Sequence, residues 1–95
     1  MSSTHPFSPQ AVVQKLTSEA VKLKLVHIHG EYDDYYEIWY VPRWKQFKVN
    51  LEVSVWDGRG HESYKEKLDE ATLLARLEDI QTTGKVVSFY YEPRK

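Results

Sequence analysis

Apolar residues recur at Val12, Val13, Leu16, Ala20 and Leu23, the spacing of a helix with one buried stripe, while Lys15, Glu19 and Lys22 fall between them. Ser8-Pro9 is a helix start, because the Ser oxygen accepts from a free first-turn N–H and Pro has no donor to lose there. Around Lys24 the period shortens to two. Leu25, His27 and His29 point one way, Val26 and Ile28 the other, which predicts a first strand ending near Gly30. Asp33-Asp34 is expected to turn the chain, since short carboxylates accept from nearby backbone donors. A second strand then runs from Tyr35 to Val41 and stops at Pro42, with Arg43 to Gln46 as the next connection. The clearest alternation follows: Phe47, Val49, Leu51, Val53 and Val55 on one side, Lys48, Asn50, Glu52 and Ser54 on the other. Asp57-Gly58-Arg59-Gly60 breaks that strand. The charged run His61 to Leu68 fits either a loop or the first turns of a helix. Asp69 is a cap for a second helix carrying Leu73, Leu74, Leu77 and Ile80, and Gly84 sits where that helix ends. Val86 to Tyr91 forms a last strand before Pro93.

The expected fold is a single α+β domain over residues 1–95, with 1–7 as a loose N-terminal tail. An antiparallel sheet of about four strands carries two helices on one face, in the order α-β-β-β-α-β. A chain of 95 residues is one domain, and 41% hydrophobic content supports one modest core rather than disorder. The net charge of −1 is unlike the basic balance of a general nucleic-acid binder. With no cysteine there is neither a disulfide framework nor a thiolate zinc site. No apolar run spans a bilayer, and Met1 to Pro6 lacks the features of a signal peptide, so the expected location is cytoplasmic.

Composition is most uneven between Gly30 and Tyr40. Four carboxylates and four tyrosines share this window with Trp39, and no Lys or Arg interrupts them. Tyr and Trp supply large contact area with a polar tip, and carboxylates steer a cationic partner. Glu31, Tyr32, Asp33, Asp34, Tyr35, Tyr36, Glu37 and Trp39 are therefore the candidate partner-binding residues, although alternation sends some of them to the core. Lysines at positions 33 and 34 are expected to weaken docking and leave the fold intact. Arg43-Trp44-Lys45-Gln46-Phe47-Lys48 interleaves cations with rings, the composition of a surface that tracks phosphates and stacks on unpaired bases. Set against that, Phe47 belongs to the strand interior and strand-edge cations deter aggregation. His27-x-His29 has the spacing to ligate a metal with Glu31 or Asp33 as third ligand, or to be two histidines on a wet strand. His61 beside Glu62 is a candidate general base without a motif-flagged nucleophile. No catalytic residue, metal ligand or cofactor is assigned from these patterns.

Ser8-Pro9-Gln10-Ala11, Glu19-Ala20-x-Lys22, Leu25 and Ile28-x-Gly30 resemble the opening of the immunity protein that protects cells from the anticodon-cleaving tRNase colicin. Leu77-x-Asp79-Ile80, with Gly84 before a terminal apolar strand, resembles its ending. The centre, Glu31 to Leu68, departs from that pattern and is much richer in Tyr, and Gly84 falls one position late. The resemblance implies an α+β inhibitor that plugs the RNA-binding cleft of a ribonuclease toxin, and it transfers no individual binding residue. The expected function is thus an immunity or antitoxin protein that blocks a toxin with a basic nuclease domain, with no stable nucleic-acid partner and no membrane contact. The alternatives are a small nucleic-acid-binding regulator using Arg43, Trp44, Lys45 and Lys48, or an adaptor with another protein partner.

Overall fold

The described residues form a sheet of five strands where about four are expected. A computed structural model describes residues 7–55 and 60–94; Met1–Pro6 of the expected tail and Asp57, Gly58 and Arg59 of the expected turn lie outside the described residues. The order is α1 (Pro9–Ser18), β1 (Val21–His29), β2 (Tyr32–Val41), β3 (Gln46–Val55), β4 (His61–Leu68), α2 (Glu70–Thr82) and β5 (Lys85–Pro93). All neighbours pair antiparallel, in the sheet order β4-β3-β2-β1-β5. Strands β1 to β4 form a meander, and β5 returns to the free side of β1.

The additional strand, β4, is the charged run His61 to Leu68. Only its last residue, Leu68, is buried, so it carries no apolar alternation by which to be recognised. Backbone pairing to β3 defines it, from Ser54 opposite His61 to Phe47 opposite Leu68. An edge strand dressed in this way resists pairing with other chains.

Chain reversal between β1 and β2 falls one hairpin step earlier than the acidic pair suggests. Gly30 and Glu31 form the two-residue loop, His29 faces Tyr32, and Asp33 and Asp34 are already in β2. Gly30 has φ 58°, and a left-handed first loop residue suits the twist of a tight hairpin and favours glycine. Helix α1 is also shorter than its apolar stripe, since Leu23 belongs to β1. Ser8 caps α1 by accepting from the Ala11 N–H at 3.3 Å. Asp69 caps α2 by accepting from Thr72 at 2.9 Å, and these bonds hold its carboxyl below the usual range.

Both helices cover one face of the sheet. Val12, Val13 and Leu16 of α1 and Leu73, Leu77 and Ile80 of α2 meet Leu23, Leu25, Tyr36, Ile38, Phe47, Val49, Leu68 and Val86. Burial pushes the Tyr36 phenol up to about 12. Arg76 of α2 binds both oxygens of Glu66, at 3.2 and 2.9 Å, and so ties the helix to the edge strand. Phe7, expected in the loose tail, is anchored instead: its ring stacks on Phe89 at 5.1 Å and its N–H donates to Gln81. In β5 a bulge between the partners of Val26 and His27 leaves Val87 as the extra residue. Val86 is therefore buried against the helices while Ser88, two residues on, lies opposite Val26 on the other face.

Gly84 closes α2 and starts β5 at φ 61°, and a Cβ there would lie 2.3 Å from the Ile28 carbonyl oxygen and 2.9 Å from the His29 Cβ. Gly84→Ala is expected to destabilise the domain by more than the roughly 1–2 kcal/mol of left-handed strain alone. Urea unfolding measures this, and a variant within half a kcal/mol of the parent would contradict the packing described here.

Candidate functional site

The helix-free face of the sheet is the larger candidate surface. Alternation sends Lys22, Lys24 and Val26 of β1, Asp33, Tyr35, Glu37 and Trp39 of β2, and Lys48, Asn50 and Glu52 of β3 to this side. Lys65 and Lys67 of β4 and Tyr90 of β5 join them. Register sorts them into rows. Trp39 lies opposite Lys48, and Lys48 opposite Lys67. The next row runs Tyr90, Lys24, Glu37, Asn50, Lys65. In the row beyond, Tyr35 stands between Val26 and Glu52.

The first row and the adjoining β2–β3 turn form a cationic, aromatic end. The Lys22 ammonium lies 4.9 Å from the Trp39 ring centre, Lys48 5.7 Å, and the Arg94 guanidinium carbon 5.9 Å. Lys22, Trp39, Pro93 and Arg94 line a hollow of about 380 Å³. In the turn, Trp44 is exposed and carries the Lys67 ammonium 4.2 Å above its ring. Arg43 and Lys45 are exposed beside it, and Lys45 is held at φ 54°, where a lysine is strained. Among the described residues, Lys48, Lys67 and Arg94 have no carboxylate within 4 Å. Arg94 is fixed in place by donating to the Tyr40 carbonyl at 2.8 Å.

The middle rows form a trough of about 690 Å³ with Tyr35 and Tyr90 exposed on its walls. Its floor is internally paired. Glu37 accepts from Lys24 at 2.6 Å and from Asn50 at 3.1 Å, and Lys22 lies at 3.5 Å. The Lys24 bond holds the Glu37 carboxyl below its ordinary range, and the same bond raises Lys24. Asn50 Oδ1 is buried without a partner among the described residues, an acceptor facing no donor.

The eight acidic-window residues therefore do not make one surface. Tyr36 and Asp34 are buried against the helices. Glu37 is neutralised by the chain's own lysines, and Trp39 belongs to the cationic end. What remains outward is Glu31 in the hairpin loop, half-buried Asp33, and the exposed rings of Tyr32 and Tyr35, with Tyr32 on the helix side and Tyr35 on the open side. Lysines at 33 and 34 do not form a neutral test of docking, because position 34 is interior. His61 and Glu62 do not form an acid–base pair: His61 lies opposite Ser54, and Glu62, on the other side of the strand, accepts from Tyr64.

On the helix side His27, His29 and Asp34 come together under the end of α2. Their donor atoms lie within 4.8 Å of one another. Asp34 Oδ2 lies 2.6 Å from His29 Nε2 and 3.8 Å from His27 Nδ1. The His27 and His29 rings stack at 5.1 Å, and Tyr32 stacks on His29 at 5.6 Å. The sequence spacing offers Glu31 or Asp33 as the third member, but Asp33 is on the opposite face and Glu31 is in the loop. Asp34 takes the place because it is the residue directly across from His27.

Compared with models of known protein families, with curated proteins and with solved structures, the chain matches none of them. Among the described residues no helix is long and apolar enough to cross a membrane.

Proposed function

We infer that the domain binds single-stranded nucleic acid across its open sheet face. The observation that carries this reading is the cationic end, where Lys22, Lys48 and Arg94 surround Trp39 and Lys67 lies over exposed Trp44. Cations without carboxylate partners attract phosphate, and exposed rings accept unpaired bases on their flat faces. Trp44, Tyr35 and Tyr90 present those rings, and the trough between the tyrosines offers polar groups to base edges. The overall charge of −1 does not oppose this, because the cations are concentrated at one end of one face.

Fluorescence anisotropy with a labelled mixed-sequence single-stranded RNA tests the reading. Lys48, Lys67 and Arg94, which have no carboxylate within 4 Å among the described residues, predict a log–log salt slope of about −2. Trp44→Ala is expected to weaken binding about fivefold to a hundredfold, the range of one lost base stack. Absence of salt-dependent binding by the parent protein would remove this function.

A second reading, the nuclease-toxin inhibitor, keeps one specific support. The β1–β2 hairpin exposes Tyr32 and Tyr35 beside Glu31 and Asp33, and neither acid has a cationic partner among the described residues. This reading predicts negligible RNA binding and tight binding to a basic ribonuclease domain, weakened by Glu31→Lys with Asp33→Lys.

A further inference from the structure

The geometry points to a divalent transition-metal site, zinc first among the candidates, formed by His27 Nδ1, His29 Nε2 and a carboxylate oxygen of Asp34. Two features beyond the clustering of the three residues support it. First, His27 Nε2 bonds the backbone carbonyl of Thr83. A carbonyl only accepts, so a ring proton sits on Nε2, and in the neutral form of the ring Nδ1 turns its bare lone pair toward Asp34. A protein acceptor on the far nitrogen is the arrangement that orients a metal-ligating histidine. Second, His27 Nδ1 and Asp34 Oδ1 are both buried without a partner, on side chains only 5% and 9% exposed. Buried polar atoms of a folded chain are normally satisfied. The Asp34 oxygen measured nearest His27 Nδ1 is Oδ2, at 3.8 Å, and a cation held between that nitrogen and the Asp34 carboxylate satisfies both buried groups.

The donor separations fit after a small adjustment. Zinc takes nitrogen and oxygen ligands at about 2.0–2.2 Å, so tetrahedral ligands stand about 3.3 Å apart. The 3.8 Å between His27 and Asp34 closes slightly, and the 2.6 Å between His29 and Asp34 opens as metal replaces the hydrogen-bonding proton. The His29 side chain is 37% exposed, so it is the ligand on the route from solvent. Three protein ligands leave a fourth position for water. The ligand type suits zinc or another imidazole-binding divalent ion and does not suit calcium or magnesium, which prefer all-oxygen sites.

The test is titration of the metal-stripped full chain with Zn²⁺, followed by calorimetry and thermal unfolding, with Co²⁺ as a spectroscopic probe. Expected are one-to-one binding at micromolar or lower Kd, a rise of several degrees in Tm, and Co²⁺ absorption bands typical of a tetrahedral nitrogen–oxygen site. His29→Gln, at the accessible ligand, is expected to keep the parent's circular dichroism and metal-free Tm while losing at least tenfold in Zn²⁺ affinity. Asp34→Asn provides a second variant that removes the charge with little change in shape. No Zn²⁺-dependent change in the parent, or an unchanged response in a folded His29→Gln variant, overturns the site. Equal stabilisation by Mg²⁺ would do the same, because it would report general screening of charge.

Discussion

Phe47→Ala is expected to lower stability by about 3–5 kcal/mol, the cost of emptying an aromatic position in a packed core. Phe47 is 1% exposed, packs on Tyr40 with ring centres 4.9 Å apart, and faces Leu68 across the β3–β4 pair. Its loss leaves a cavity where three strands meet the helices, and the β4 edge is held by few other apolar contacts. Leu68 is the only buried residue of that strand. A domain of this size has a total stability of about 5–15 kcal/mol, so the variant is expected to be partly unfolded near body temperature. Thermal denaturation is the measurement, with a fall of roughly 15 °C or more expected. A fall of only a few degrees would mean that Phe47 is not the packed centre described above.

Lys48→Glu combined with Lys67→Glu is expected to abolish nucleic-acid binding by the open face, by a hundredfold or more at low salt. The two residues are cross-strand neighbours, and each stands over a tryptophan, Lys48 over Trp39 and Lys67 over Trp44. Reversal removes two attractive charges and sets two repulsive ones against phosphate. Each lost phosphate contact also removes about 0.7 from the salt slope on single strands, so the residual slope should flatten by more than one unit. Both heads lie at the surface, away from the core, so the melting temperature should hold within a few degrees. A double variant with the parent's affinity and slope would place any nucleic-acid contact elsewhere. The same variant with undiminished binding to a basic ribonuclease domain would favour the hairpin end instead.

The helices were legible in the sequence because their caps and apolar stripes are local signals, as Ser8-Pro9 and Asp69 show. β3 was legible because one of its faces is covered from Phe47 to Val49 and strict alternation records that cover. β4 was not, because both of its faces are wet at His61 to Lys65, and a strand held by its backbone leaves no hydrophobic period. The hairpin loop was misplaced because Asp33-Asp34 carries the stronger turn composition, whereas backbone geometry favoured Gly30. The acidic window read as one surface because its residues adjoin in the chain, and a strand sends neighbours to opposite faces. The cationic end was nearly invisible for the converse reason. Lys22, Lys48, Lys67 and Arg94 come from β1, β3, β4 and the residue after β5, and only the fold assembles the first, second and fourth around Trp39 and the third over Trp44. Of the histidine cluster, the sequence shows His27 and His29, but Asp34 enters only once β2 is paired to β1.

The placement of β5 beside β1 has a consequence for the growing polypeptide. The backbone groups along one side of β1 wait for a partner synthesised more than fifty residues later, after the meander and α2 have already emerged. During that interval the nascent chain presents a bare strand margin, open to pairing with a neighbouring polysome's copy. A truncation just before Lys85 would make that exposure permanent, and it should convert a well-behaved domain into one that assembles with itself.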